Sequence, residues 1–103
     1  MAKAVQRPKA RRDFIMHYVY LAENAGLAVA KRFREAVQAT YADLAAMPRM
    51  GAPGKVKGAK YESLRLWRVN GFENYIIAYR SRGNTVAIER LIHAKQDYQR
   101  ILR

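Results

Sequence analysis

From Ala10 onward, apolar side chains return at helical intervals: Ala10, Phe14, Tyr18, Leu21 and Ala25, with Ile15, Val19 and Ala22 beside them. Steps of three and four residues put these positions on one face of a helix. Pro8 suits the first turn, where its missing N–H costs no hydrogen bond, and Gly26 reads as the stop. A second helix is predicted over residues 27–47, because Ala30, Phe33, Val37, Thr40, Leu44 and Met47 step by three and four as one buried stripe. Pro48 ends it. The short link at Gly26 makes the two helices antiparallel neighbours, an αα-hairpin.

The period then changes. Residues 63–69 alternate, with Leu64, Leu66 and Arg68 on one side and Arg65 and Trp67 on the other. Asn70-Gly71 between two such runs is a strong hairpin signal. Residues 72–80 form the next predicted strand, centred on Tyr75-Ile76-Ile77-Ala78-Tyr79, and residues 81–84 turn the chain through Gly83. Residues 85–92 place Val86, Ile88 and Ile92 on one face. Residues 1–6 can add an edge strand, and residues 95–103 a short terminal helix with Tyr98, Ile101 and Leu102 inward. Residues 48–60 carry Gly51, Pro53, Gly54, Gly58 and four basic residues, which reads as a loop. The fold class is α+β, ordered β-α-α-β-β-β-α, with helices packed on a small antiparallel sheet.

At 103 residues the chain is read as one domain, 1–103. A chain of this length buries roughly 65% of its unfolded surface, enough for one core without metal or disulfide staples. It has no Cys, which excludes a disulfide framework and thiolate metal sites and fits a reducing, cytoplasmic setting. No metal or cofactor is expected: His17 and His93 are the only histidines, with no HxxxH spacing and no carboxylate cluster. The longest uncharged apolar run, residues 14–22, falls short of the ~20 residues that span a bilayer. Arg11-Arg12-Asp13-Phe14-Ile15 and Ala28-Val29-Ala30 resemble an export signal and its cleavage site. Glu23 and Asn24 interrupt the segment, and cleavage after Ala30 would strip the second helix of its packing partner, so export is not expected. Twenty Lys and Arg against eight Asp and Glu leave a net charge of +12. That balance favours an anionic partner without saying whether it is nucleic acid, an acidic polypeptide or an anionic membrane face.

Ala10-x-x-Asp13-Phe14, Leu44-x-x-x-Pro48-x-x-Gly51, Ile77-x-Tyr79-Arg80 and Arg90-Leu91-Ile92-His93-x-x-x-Asp97 occur in that order, and together they resemble the RelE/ParE superfamily of toxins from type II toxin–antitoxin pairs. Ala10-x-x-Asp13-Phe14 followed by Tyr20 is similar to the family's opening helix, and Leu44-x-x-x-Pro48-x-x-Gly51 to the end of its second. Ile77-x-Tyr79-Arg80 resembles the central strand. Arg90-Leu91-Ile92-His93-x-x-x-Asp97 is similar to the closing signature of the ParE branch. Two positions depart from the pattern. His17 stands where the family usually has an aliphatic residue, and Gln96 where a ParE-type chain usually carries Arg. The resemblance implies a toxin neutralised by a co-expressed antitoxin whose flexible C-terminal part wraps it. For the ParE branch it implies inhibition of DNA gyrase; for the RelE branch, ribosome-dependent mRNA cleavage. A basic nucleic-acid-binding domain is a further alternative with a similar element count.

Metal-free RNA cleavage needs a base, an acid and cations around the phosphorane-like charge. If the chain is a ribonuclease, the candidates are His93, Arg65, Arg80, Arg90 and Tyr98, although Arg65 and Arg68 face opposite sides of their strand. His93 is the natural proton carrier, but a hydrogen bond from His93 to Asp97 tying the strand end to the terminal helix explains it equally. Arg90 is expected to pair with an acid such as Asp97 or Glu73, and Asp13 to serve only the dipole of its helix. As surfaces for a target or an antitoxin, the candidates are Arg65, Trp67, Arg68, Arg80, Arg90 and the loop lysines Lys55, Lys57 and Lys60. Trp67 is either a stacking platform or an outer-face residue covered by the terminal helix. The loop lysines are either a solvated run or contacts to phosphate or acidic side chains. The residues together favour a toxin of the ParE type that acts by binding.

Overall fold

A computed structural model describes residues 3–54 and 64–102. The elements run β1 (Lys3–Gln6), α1 (Pro8–Asn24), α2 (Leu27–Ala46), β2 (Ala52–Pro53), β3 (Arg65–Val69), β4 (Phe72–Arg82), β5 (Thr85–His93) and α3 (Tyr98–Ile101). The strands form one sheet in the order β1-β5-β4-β3-β2. The α+β class and the helical hairpin are as the periodicity implies. Among the described residues no helix is long and apolar enough to cross a membrane, and the twin-arginine and Ala-x-Ala look-alikes lie inside α1 and α2.

Pro8 occupies the first turn of α1, and the N–H of Ala25 closes the last turn on the Leu21 carbonyl at 2.7 Å. Gly26 follows with φ of +99°, a backbone state that side chains disfavour, and the chain reverses into α2. The buried stripe of α2 is Ala30, Phe33, Val37, Thr40 and Leu44. Its polar member is fully satisfied. The Thr40 hydroxyl donates to the Ala36 carbonyl at 2.7 Å and accepts from the Asn70 N–H at 3.1 Å, pinning the β3–β4 turn to α2.

This stripe meets Val69, Tyr75, Ile77, Tyr79, Val86, Ile88 and Leu91 of the sheet. Phe33 sits at the centre, 4.7 Å from the Tyr75 ring and stacked at 5.9 Å on Phe14. Each fully buried large apolar side chain here is worth about 1.5–3 kcal/mol of transfer free energy. A smaller cluster of Leu64, Ala78, Ile92 and Leu102 holds the other face.

Four expectations need correction. The sheet is not wholly antiparallel: β1 pairs parallel with β5, from Lys3 against Thr85 to Gln6 against Ile88. The helical hairpin and three sheet strands separate the pair in the chain, so no tight turn imposes reversal. Within the expected 48–60 loop, Ala52 and Pro53 add a short edge strand on Leu66 and Arg65; Pro53 lacks an N–H and suits an edge.

The third correction concerns β5, where Val86, Ile88 and Ile92 do not share a face. Ala78 pairs with Arg90 but Tyr79 with Ile88, so Glu89 is an extra, bulged residue. The bulge shifts alternation by one, which turns Leu91 toward the helices and Ile92 toward the second cluster. Lastly, α3 is a single turn whose capping Leu102 is buried, while its own Tyr98 is 37% exposed.

Candidate functional site

A groove of about 630 Å3 runs along β3 beside α3. Leu66 and Ile76 form an apolar floor, and Trp67, Arg68 and Tyr98 surround it, so three of the candidate residues do converge. Arg68 is exposed, and its guanidinium donates to the Glu73 carbonyl across the hairpin. Trp67 is neither a free platform nor simply a residue under the terminal helix. It packs against the main core from the strand while bordering the groove. Its indole Nε1 is buried and has no hydrogen-bond partner among the described residues.

The other sheet arginines are held elsewhere by their own chain. Arg65 Nη1 donates to the Gly51 carbonyl at 2.6 Å. Arg80 Nε reaches the buried carboxylate of Glu89 at 2.9 Å, with Arg7 at 4.0 Å from the same group. Arg90 pairs with neither Asp97 nor Glu73. Its Nε and Nη2 donate to Oδ2 and Oδ1 of Asp13 at 2.7 and 2.9 Å, and the Leu91 N–H donates to Oδ2 at 2.9 Å. Asp13 is thus no mere dipole partner but a buried acceptor of three bonds. A bidentate guanidinium–carboxylate pair adds directional specificity as well as energy. Lys55, Lys57 and Lys60 lie outside the described residues.

His93 does not bond Asp97. Its Nδ1 accepts the Lys95 N–H at 3.1 Å, which leaves the ring proton of the neutral imidazole on Nε2. Its backbone N–H donates to Oε1 of Gln96 at 2.8 Å, an acceptor that Arg at this position would lack. Asp97 instead caps α3 by accepting the Arg100 N–H at 3.3 Å. The four-residue spacing therefore serves two local caps and no direct tie.

His17, which no motif in the sequence marks as a site residue, completes the arrangement. Its Nε2–H donates to the Leu91 carbonyl at 2.9 Å, while Asp13 one turn earlier takes the Leu91 N–H. Where β1 runs out, two side chains of α1 thus stand in for a neighbouring strand and satisfy both backbone groups of Leu91. Burial pushes the His17 imidazole below its usual 6.5, against an upward pull from the Leu91 bond and from Asp13. The signal was present in the sequence. Asp13 and His17 are four apart on the same helix face as Ala10 and Leu21, an acid and an imidazole in an apolar stripe. Tyr75 stands edge-on to both His17 and His93, at 5.1 and 4.9 Å. Among the described residues no three His, Asp or Glu side chains are grouped to hold a metal ion.

Tyr79 explains a further motif. Its hydroxyl donates to the Pro48 carbonyl and accepts the Gly51 N–H, both at 2.8 Å. A Cβ on Gly51 would lie 2.6 Å from that hydroxyl and 2.9 Å from the Leu66 carbonyl, so only glycine fits. Helix end, central strand, opening helix and closing strand are thus joined pairwise, as Pro48–Gly51 with Tyr79 and Asp13 with Arg90.

A family model described as the ParE toxin of the type II toxin-antitoxin system, parDE, matches residues 5–98. The chain belongs to the ParE toxin family. The fold of this ParE toxin is also similar to a solved chain titled "Chromosomal ParDE TA system from P. aeruginosa", with a TM-score of 0.72 at 16% identity, covering 90% of this chain and 96% of that one. No curated protein matches the sequence. In this ParE toxin the segments that carry the family resemblance are those the hydrogen bonds above tie together.

Proposed function

We propose that this toxin acts in the cytoplasm as a single domain, by binding and inhibiting DNA gyrase, and that an acidic antitoxin encoded with it neutralises it; such a pair would serve plasmid or chromosomal stabilisation. One observation carries the binding reading. Arg65, Arg80 and Arg90, the cations a phosphoryl-transfer site would need around one point, are engaged at three separate places by Gly51, Glu89 and Asp13. His93 borders a different cavity from Tyr98. The groove of Trp67, Arg68 and Tyr98, with an apolar floor and a cationic rim, supports a partner surface instead. Family membership supports the antitoxin, and the net charge of +12 favours an acidic one with a fast, salt-dependent encounter.

The test is a supercoiling assay with purified gyrase and relaxed plasmid, run beside primer-extension mapping of cellular mRNA after toxin induction. Inhibition that Arg68→Glu and Trp67→Ala weaken, without mRNA cleavage, is the expected result. Specific cleavage of translated messages with gyrase untouched would establish the RelE-like ribonuclease instead. Tight duplex binding without growth arrest would point to a nucleic-acid-binding domain.

A further inference from the structure

A second cavity, of about 310 Å3, lies apart from the groove of Trp67, Arg68 and Tyr98. Met16, His17 and Tyr20 of α1 line it, with Tyr75 of β4 opposite and His93, Lys95 and Gln96 at the end of β5. Its polar groups are nearly all donors. Lys95 brings a cation. His93 accepts the Lys95 N–H on Nδ1, so its Nε2 carries the proton, with no acceptor among the described residues. Gln96 uses Oε1 on the His93 N–H, which leaves both protons of its amide nitrogen. Tyr75 is only 6% exposed, yet its hydroxyl has no protein partner among the described residues and is not sealed in. Burial, with the Tyr20 phenol close by, raises that hydroxyl above its usual 10 and keeps it a donor. No Asp or Glu lines the pocket, and His17 and Asp13 are committed to Leu91 and Arg90.

Donors converging without a carboxylate select an anion. A phosphate monoester, with about two charges and three acceptor oxygens, matches this set more fully than a carboxylate with two oxygens. The cavity is larger than one phosphate needs and falls at the low end of the range of about 300–1,000 Å3 for small-molecule sites. Tyr20, 60% exposed beside Met16, offers an aromatic face to a flat body attached to that phosphate. We infer that this pocket binds a nucleoside monophosphate, with the phosphate received by Lys95, His93 and Gln96 and the base laid on Tyr20. The inference goes beyond the gyrase reading and does not rest on it. A free nucleotide and the phosphorylated end of a strand offer the same group, and the test separates them.

The full toxin is titrated by calorimetry with adenosine 5′-monophosphate, adenosine and inorganic phosphate, at about 0.15 M salt to screen its general positive field. The monophosphate should bind one to one and at least about tenfold tighter than either fragment. Lys95→Ala should weaken it about tenfold or more, and Tyr20→Ala about threefold or more while leaving inorganic phosphate unaffected. Both side chains are exposed, so melting should not change. Lys31→Ala removes an equal charge from the exposed side of α2 and should bind as the parent does. Magnetic resonance of the parent reads the site without substitution: His93 and Tyr75 ring signals should move on titration. A 5′-phosphorylated oligonucleotide binding at least about tenfold tighter than the monophosphate would assign the pocket to a strand end, and weaker binding to the free nucleotide. Monophosphate binding no tighter than inorganic phosphate, equal weakening by Lys31→Ala and Lys95→Ala, or unmoved His93 and Tyr75 signals would overturn the inference. So would the lack of saturable binding up to about 5 mM.

Discussion

Asp13 offers the sharpest test of what holds β5 in place. Replacing it with Ala removes both bonds to Arg90 and leaves the Leu91 N–H, buried beneath α1, without a partner. The side chains of Arg90 and Asp13 are only 21% and 9% exposed, so solvent screening discounts the pair little. Breaking such a pair from one side costs about 3–5 kcal/mol, of which about 1–3 belongs to the orphaned N–H. For a domain of this size that loss lowers the melting temperature by on the order of 12 to 20 °C. Asp13→Asn separates the contributions, because its amide oxygen can still accept the Leu91 N–H while the charge is gone; roughly half the loss is expected. Urea unfolding should show a lower midpoint at constant slope for both variants. Exchange of the Leu91 amide proton should stay slow in the Asn variant and quicken in the Ala variant. Equal losses for the two, or a loss under about 1 kcal/mol for Asp13→Ala, would refute the assignment of both roles to one carboxylate.

Three further outcomes follow from the same reasoning. Tyr79→Phe leaves the buried Gly51 N–H unpaired and should cost about 1–3 kcal/mol, and Gly51→Ala should cost at least as much by steric clash with Tyr79 and Leu66; chemical denaturation measures both. The buried His17 imidazole is held below its usual 6.5, so the unfolded chain takes up its proton first as pH falls. Stability should therefore be full above that value and decline as pH drops from it toward the folded-state value; His17→Gln, which can still donate to Leu91, should remove that slope in melts across pH 7.5 to about 4.5. Burial pushes the Tyr41 hydroxyl up to about 12 despite the opposing bond from Gln6. Burial also raises the Tyr75 and Tyr79 hydroxyls, so Tyr41→Phe should remove one late-ionising tyrosine from the ultraviolet titration and lessen, without abolishing, the fall in stability between pH 10 and about 12.

The helical hairpin was readable from the chain because it depends on local spacing: Ala30, Phe33, Val37 and Leu44 need only a neighbour to cover them. The Asn70-Gly71 turn was readable for the same reason. The contacts that set the registers were not. The Glu89 bulge inverts the sides of Leu91 and Ile92 without any local signal, since Arg80 and Arg7, distant in sequence, are what make a buried Glu89 tolerable there. Arg90 was assigned to acids near it in sequence or strand, whereas its partner lies 77 residues away. Site residues divide along the same line. Alternation correctly separated Arg65 from Arg68, yet it could not tell that Arg65 is tied to Gly51 while Arg68 rims the groove. His17 departed from the family pattern, and its pairing with Asp13 on one helix face was the overlooked clue.

The parallel pairing of β1 with β5 has a consequence for synthesis. Lys3 cannot find Thr85, nor Asp13 its guanidinium, until β5 has been made. Contacts this distant make closure a late event and delay the cooperative gain in stability. A nascent chain halted before Thr85 holds the two helices with the inner stripe of α2 uncovered on the β5 side, a species for chaperones and proteases to remove. The fold is thus completed only once β5 has been made, and not helix by helix as the chain emerges.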